Sequence, residues 1–186
     1  MTCIAVMRDD QIGRVYMASE RLAVDSAGGK FYLTKPKFVQ IGDWWFGTAG
    51  DVRADQIFCN TMQGWMGRKE VTAEFFMEAA GDKLTKAFAD KANDSTRDFS
   101  GVAIRGGHVY LVEQSWEICE CKGPWGVGSG ASYALGYMHT RVATHATVLG
   151  ALKTAIHYDS SCGGEIDVQE ILFDTVSLLP RTDSLQ

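Results

Sequence analysis

The chain has 186 residues, of which 46% are hydrophobic and 22% are charged, so it is long enough to form a folded domain with a sizeable core. Its net charge is −5 and it has no basic stripe of the kind that neutralises phosphates, which argues against nucleic acid as a partner. It has no secretion signal and no apolar run near the roughly 20 residues that cross a bilayer, so we expect a cytoplasmic protein with no membrane partner.

Strands and helices are predicted in alternating blocks along the chain. In order, the pattern predicts strands over 2–7, 14–18, 31–33, 37–41 and 44–47, helices over 54–65 and 72–89, strands over 100–104, 109–112, 118–121 and 125–127, helices after 130 and around 148–156, and a strand over 170–178. We expect 118–121 to pair with 125–127, Thr72 to cap the second helix, and 91–98 to form a polar loop.

Blocks of antiparallel strands separated by pairs of helices are typical of an α+β fold. Two sheets of this kind bury both their faces when they are stacked on each other and covered by helices. We therefore expect a four-layer αββα sandwich of two antiparallel sheets between helix layers, formed by a single domain over 1–186.

The cysteines are odd in number and follow no secretion signal, so they predict free thiols in a reducing compartment. They are Cys3, Cys59, Cys119, Cys121 and Cys162. Cys119 and Cys121 have no second pair at metal-ligand spacing, so neither a zinc site nor another metal site is predicted.

The chain begins Met-Thr-Cys-Ile-Ala-Val, with a threonine directly after the methionine. Methionine aminopeptidase removes Met before a small residue, so we expect Thr2 to become the first residue. Its α-amine, with a pKa near 7.7–8.0, could then take the proton of its own hydroxyl. A lysine would stabilise the alkoxide and a carboxylate would hold that lysine, and Lys37 and Glu20 are candidates. The backbone N–H of Gly47 is a candidate donor to an oxyanion.

Several motifs of the chain occur in the order and near the spacing of one known family. They are the Met-Thr start, Met17-Ala18-Ser19-Glu20-Arg21, Lys37-Phe38-Val39-Gln40-Ile41, Gly47 with Gly50-Asp51, Gly128-Ser129-Gly130, and Asp159-Ser160-Ser161-Cys162-Gly163-Gly164. Together they resemble proteasome β-type subunits, and most of all the HslV-like threonine protease of bacteria, which partners an AAA+ unfoldase. These proteins are N-terminal nucleophile (Ntn) hydrolases.

The resemblance implies a catalytic role for each matching residue. Thr2 would be the nucleophile, with Glu20 and Lys37 as the supporting ion pair and Gly47 as the oxyanion donor. Ser129, Asp159 and Cys162 would surround the Thr2 amine, with Cys162 standing where the family usually has serine. No cofactor is implied, although relatives hold a monovalent cation near the position of Asp159.

The resemblance also implies a substrate pocket. Trp45, Ala23 and Ala49 would line it, and the bulk of Trp45 would favour small or slender side chains in the substrate. Trp45 as an ordinary core residue is an equal alternative.

Each catalytic candidate has a structural alternative. Lys37 could be a strand-edge lysine, Glu20 a solvated turn carboxylate and Asp159 a turn residue after the fourth helix. Ser129 could be a helix N-cap. Catalysis by Cys3 is disfavoured, because neighbouring side chains in a strand face opposite ways.

The function that the resemblance implies is a threonine-type endopeptidase. It would cleave peptides or unfolded proteins through an acyl-enzyme on Thr2, inside stacked rings of identical subunits, with an AAA+ unfoldase as a further partner. Two other functions stay open: an inactive proteasome-like subunit with a structural or assembly role, and an amidohydrolase that acts on small molecules with the same nucleophile.

Overall fold

The computed structural model of the chain describes residues 2–25, 27–66, 70–91 and 98–174. The first half contains β1 (Ile4–Asp9), β2 (Arg14–Glu20), β3 (Leu22–Val24), β4 (Lys30–Tyr32), β5 (Phe38–Ile41), β6 (Trp44–Gly50), α1 (Val52–Met66) and α2 (Ala73–Lys91). The second half contains β7 (Phe99–Arg105), β8 (His108–Val112), β9 (Ile118–Cys121), β10 (Trp125–Val127), α3 (Ala131–Met138), α4 (His145–Tyr158) and β11 (Ile166–Leu172).

The strands form two large sheets and one short ribbon, all with antiparallel pairing. The first sheet has the order β10-β1-β2-β11, the second has the order β5-β6-β7-β8-β9, and β3 pairs with β4 alone. The ribbon continues from the end of β2, which places it beside the first sheet.

Three apolar clusters separate four layers. Trp44, Phe46, Phe58 and Phe76 pack between the second sheet and α1 and α2, and Ile4, Met17, Val102 and Ile104 pack between the two sheets. Ala5, Ala18, Met138 and Leu152 pack between the first sheet and α3 and α4. The expected αββα sandwich is confirmed.

Strand β1 shows why the sequence folds in this way. Ile4 and Val6 face the other sheet, whereas Cys3, Ala5 and Met7 face the helices, as the two-residue period of a strand requires. Because both faces are covered, the strand is apolar at every position from Cys3 to Met7.

The helices begin at caps that the sequence supplies. The Thr72 hydroxyl accepts a hydrogen bond from Phe75 N at 3.3 Å, so the predicted cap of α2 is confirmed. The carboxylate of Asp51 accepts from Arg53 N at 2.6 Å and Ala54 N at 3.2 Å and begins α1 in the same way. Among the described helices, none combines the length and the apolar character that a membrane span needs.

Two predictions about the strands were wrong. β9 and β10 do not pair with each other: β9 joins β8 in one sheet and β10 joins β1 in the other. The last strand lies at Ile166–Leu172 instead of 170–178, because it is partly covered and alternates with polar residues that weaken its apolar signal. Residues 175–178, and 92–97 of the predicted polar loop, lie outside the described residues.

Candidate active site

Thr2 lies just before β1 and is buried, with 4% of its surface exposed. The turn after β10 holds its backbone: Gly130 N donates to the Thr2 carbonyl oxygen at 3.3 Å, and Ser129 Oγ makes a longer contact of 3.5 Å. The turn can come this close because Gly128 has a φ of +93° and no side chain. A Cβ at Gly128 would lie 2.1 Å from the Thr2 carbonyl oxygen.

Lys37 directs its ammonium group at the Thr2 side chain. Lys37 Nζ donates to Thr2 Oγ1 at 2.9 Å, to Glu20 Oε1 at 2.5 Å and to the Leu22 carbonyl oxygen. These contacts use all three N–H groups of the ammonium, and the lysine side chain is only 7% exposed. Its backbone N–H donates to Ser19 Oγ at 3.2 Å, which fixes the chain where β5 begins.

Glu20, the last residue of β2, is fully buried and is the acceptor that organises the site. Its Oε1 accepts from Lys37 Nζ and from Cys3 N at 3.2 Å, and its Oε2 accepts from Leu22 N at 2.7 Å and Gly163 N at 3.1 Å. Four donors offset the cost of burying the carboxylate. Glu20 is therefore not a solvated turn residue, and Lys37 is not a free strand-edge lysine.

Asp159 and Cys162 lie together at the end of α4. The Asp159 carboxylate accepts from Ser161 N at 2.8 Å and from Cys162 Sγ at 3.5 Å. Burial works to raise the pKa of Asp159, but hydrogen bonds from Ser129, Ser161 and Cys162 together hold that pKa below its ordinary value. The Ser129 hydroxyl lies within reach of two acceptors, the Asp159 carboxylate and the Thr2 carbonyl oxygen, and its single proton can serve one of them at a time. Ser129 does not cap α3, whose N-cap is Gly130.

The two buried thiols of the site are held as neutral groups. Burial, reinforced by the charges of Glu20 and Asp159, raises the pKa of Cys162 to about 12. Burial also raises the pKa of Cys3, whose side chain packs toward α3 and α4. Neither thiol is suited to act as a thiolate nucleophile.

The structure does not bring Gly47 into the site. Thr48 N donates toward β5, to the Lys37 carbonyl oxygen at 3.3 Å, and Asp51 N donates toward β7, to the Asp98 carbonyl oxygen at 2.7 Å. Because N–H groups alternate between the two edges of a strand, the N–H of Gly47 faces β7 and belongs to the ladder. A Cβ at Gly47 would meet Ile4 and Met17 between the sheets.

The same alternation directs the N–H of Gly50 to the edge that faces Lys37. β5 begins at Phe38, which lies opposite Gly47, so no strand in the described part of the chain covers that edge beside Gly50. Gly50 also lines the cavity that contains Thr2. The geometry thus places a backbone donor at the site three residues after the predicted one.

A cavity of about 210 Å³ opens beside Thr2 and Lys37. Its lining comes from the β3–β4 ribbon, the segment before β5, strands β5 and β6, and α1. It is lined by Thr2, Ala23, Val24, Leu33, Pro36, Lys37, Phe38, Val39, Phe46, Thr48, Ala49, Gly50, Val52, Asp55 and Cys59. Ala23 and Ala49, which the resemblance assigned to a substrate pocket, both line this cavity.

Trp45 does not line this cavity. Its ring packs at the cluster between the sheets, in an edge-to-face contact with Phe38 at 6.1 Å between centroids. The strand period puts Trp45 on the face opposite Trp44 and Phe46, as predicted, and its ring packs in the cluster between the sheets and not in the cavity wall. The expected preference for small substrate side chains therefore loses its basis.

The cavity residues that the sequence analysis did not assign to the site include Thr48, Gly50, Asp55 and Cys59. The Thr48 hydroxyl donates to Asp55 Oδ1, and Cys59 Sγ donates to the same oxygen at 3.4 Å. The i, i+4 spacing of Asp55 and Cys59 on α1 was a signal that could have placed both on one helix face. Within the described ranges, no group of three or more His, Cys, Asp or Glu side chains is placed to hold a metal ion.

Solved structures share this fold across nearly the whole chain. The BPH protein of Thiobacillus denitrificans in complex with epoxomicin has a TM-score of 0.77 at 16% identity and covers 92% of this chain and 99% of its own. The eukaryotic HslV of Trypanosoma brucei has a TM-score of 0.71 at 14% identity, covering 91% and 99%. The Anbu complex of Pseudomonas aeruginosa, solved as a helical assembly, has a TM-score of 0.72 at 14% identity, covering 94% and 83%.

These similarities are structural only. No model of a known protein family matches the sequence, and no curated protein matches it. At this level of identity the neighbours show the fold, which is the proteasome-like fold of the Ntn hydrolases.

Proposed function

We propose that this proteasome-like chain is a threonine peptidase that attacks peptide bonds with the Thr2 hydroxyl once Thr2 is the first residue. The observation that carries the proposal is the contact of 2.9 Å between Lys37 Nζ and Thr2 Oγ1, with Lys37 anchored by the fully buried Glu20. A buried ammonium aimed at a hydroxyl oxygen stabilises the negative charge that forms when that oxygen loses its proton.

The proton acceptor must be a group other than Lys37. As an ammonium with three occupied donors, Lys37 has no lone pair to offer. The α-amine of a terminal Thr2, with a pKa near 7.7–8.0, can accept the proton directly or through one water. Ser129, which lies 3.5 Å from the Thr2 carbonyl oxygen, and its hydrogen-bond partner Asp159 would support the position of that amine.

The reaction then follows acyl transfer. Thr2 Oγ1 bonds to the substrate carbonyl carbon, and the N–H of Gly50 stabilises the oxyanion of the tetrahedral intermediate. The protonated amine gives its proton to the leaving nitrogen as the peptide bond breaks, which leaves an ester on Thr2. Water, deprotonated by the same amine, attacks this ester and releases the acid product.

An assembly of identical subunits accompanies this proposal. Among the structural neighbours, Anbu is solved as a helical assembly. On this chain, the outer side of α3 and α4 exposes aromatic rings: Tyr133 is 43% exposed and stacks on Tyr158, which is 63% exposed, with 5.6 Å between ring centroids. We propose that this ring pair forms part of a contact between subunits, since contiguous exposed apolar patches mark association surfaces. Rings around an inner chamber, an AAA+ unfoldase, unfolded proteins as substrates and a monovalent cation near Asp159 remain proposals that the resemblance supports.

A peptide epoxyketone tests the chemistry directly, because its two electrophilic carbons take a hydroxyl and an amine from one residue. The chain is released from a cleavable fusion so that it begins at Thr2, incubated with the reagent, and mapped by mass spectrometry. We expect one adduct on Thr2 and a parallel loss of fluorogenic-peptide hydrolysis. A chain that retains Met1 should form no adduct, because its Thr2 nitrogen is in a peptide bond.

Two variants make the test specific. Thr2→Ala should abolish both the adduct and hydrolysis, whereas Thr154→Ala, which removes a threonine on α4 whose hydroxyl donates to Gly150 O at 2.9 Å, should retain both. Hydrolysis that survives Thr2→Ala, or an adduct on another residue, would reject the proposal. Retention of Met1 in the protein from its natural host would support the inactive structural subunit instead.

A further inference from the structure

We propose that Asp55 sets the substrate preference of this site, and that the cavity takes a positively charged arginine or lysine side chain from the residue whose carbonyl group is attacked. This inference rests on the proposed function, because it concerns the residue whose carbonyl carbon Thr2 would attack. It replaces the preference for small side chains that the sequence predicted through Trp45.

The lining of the cavity is mainly apolar and includes one carboxylate. Ala23, Val24, Leu33, Ala49 and Val52 contribute only aliphatic side chains, and Asp55 contributes a carboxylate from the first turn of α1. The aliphatic stem of an arginine or lysine matches such walls, while its charged end needs an acceptor such as this carboxylate.

Asp55 is held in place and keeps one oxygen available. Thr48 and Cys59 both donate to Oδ1, which fixes the orientation of the carboxylate. Among the described residues, no hydrogen bond reaches Oδ2 and no lysine, arginine or histidine forms an ion pair with Asp55. The first turn of α1 also suits a negative charge, because the N-terminal end of a helix dipole is positive.

The cation already at the cavity does not compete for Asp55. Lys37 is the one positively charged side chain among the described residues that line the cavity, and its ammonium is fully engaged by Thr2, Glu20 and Leu22. Asp55 is partly buried, and none of the other described lining residues offers a positive charge to neutralise its carboxylate. A substrate cation would supply that charge and replace solvent at Oδ2.

The test is a set of fluorogenic peptides that differ only in the residue before the cleaved bond, given to the assembled protein beginning at Thr2. That residue is arginine, citrulline, lysine, leucine, alanine or glutamate. Citrulline has the shape of arginine without its charge, so we expect kcat/KM for arginine to exceed that for citrulline about 10-fold to 100-fold, the range of a hydrogen bond to a charged group. Glutamate should be the poorest substrate.

Variants separate the charge from the shape of the cavity. Asp55→Asn should bring arginine within about twofold of citrulline, and the amide oxygen can still accept from Thr48 and Cys59, which keeps the side chain in place. Asp55→Glu should keep a preference for basic residues. Asp10→Asn, at an exposed turn where Asp10 pairs with Arg8, is the matched control for loss of one negative charge and should keep the wild-type pattern.

Each failure has a separate signature. Hydrolysis that depends on Thr2 but favours citrulline or leucine over arginine, or an Asp55→Asn variant that behaves like Asp10→Asn, overturns the inference and leaves the proposed function standing. A wild-type protein that cleaves no peptide and forms no epoxyketone adduct, or hydrolysis that persists in Thr2→Ala, overturns the proposed function, and this inference with it.

Discussion

Replacing Glu20 by glutamine removes the negative charge of the carboxylate and keeps the shape of the side chain. Each carboxylate oxygen serves two donors: Lys37 and Cys3 at Oε1, Leu22 and Gly163 at Oε2. An amide has only one acceptor oxygen, so in either orientation its NH2 group faces two donors.

The expected loss of stability follows from these contacts. Two buried donors without an acceptor cost about 1–3 kcal/mol each, and breaking one side of a buried ion pair costs about 3–5 kcal/mol. Since the two figures describe overlapping losses, we expect Glu20→Gln to lower the free energy of unfolding by about 3–5 kcal/mol.

Urea unfolding followed by tryptophan fluorescence measures this change, because Trp44 is fully buried in the folded chain. Protein concentration must be fixed, since association shifts apparent stability. Glu170→Gln is the matched control: Glu170 pairs with Arg14 on the surface, their side chains are 37% and 40% exposed, and a loss below about 1 kcal/mol is expected. Equal losses in the two variants, or a loss below about 1 kcal/mol for Glu20→Gln, would refute our account of the site.

Three further predictions concern the surroundings of the proposed nucleophile. Gly128→Ala should prevent epoxyketone labelling, because its Cβ would lie 2.1 Å from the Thr2 carbonyl oxygen. Gly123→Ala is the control and should retain labelling, because Gly123 also has a positive φ, of +105°, but a Cβ there would meet no atom within 4 Å. Mass spectrometry measures the adduct, and equal labelling of the two variants would contradict the steric argument. Cys162, whose pKa burial raises to about 12, should resist iodoacetamide near pH 8 in the folded protein while exposed Cys119 reacts; rapid alkylation of Cys162 would contradict its burial. Because the pKa of Asp159 is lowered in the folded state, its stabilising effect is present above the ordinary carboxyl value of about 3.9 and is lost as pH falls through the folded value. Asp159→Asn should therefore lower the melting temperature at pH 7, with a difference that shrinks toward pH 3; a difference that grows on acidification would reverse the assignment.

The layered fold was predictable because its signals are local. Strand and helix periods change at residue 51, and each block of the pattern corresponds to one layer or pair of layers. What was missed depends on distant partners. The three residues of β3 are too few to show a period, and the partner of β10 is β1, more than a hundred residues earlier in the chain.

The site was predictable where chemistry restricts the residue type. The proposed chemistry needs a hydroxyl, a carboxylate and an ammonium, which are the side-chain groups of Thr2, Glu20 and Lys37. The structure brings these three groups together. The oxyanion donor is different, because every residue except proline has a backbone N–H. The choice between Gly47 and Gly50 depends on which edge of β6 is open, and only the register of the sheet supplies that.

Orientation explains the remaining errors. Alternation correctly separated Trp45 from its neighbours, but a two-residue period does not tell which residues of a strand face line a cavity. Asp55 resembled an ordinary first-turn carboxylate, and its place in the cavity follows from how α1 packs on the second sheet.

The ligands of the Glu20 carboxylate come from stretches of chain that are made at very different times during synthesis. Cys3, Leu22 and Lys37 emerge from the ribosome early, whereas Gly163 follows some 140 residues after Glu20. In a nascent or half-folded subunit, the Glu20 carboxylate therefore lacks part of its set of hydrogen-bond donors. The carboxylate that anchors Lys37 gains its last donor only when the segment around Gly163 has docked, so the arrangement around Thr2 is complete only in the fully folded chain.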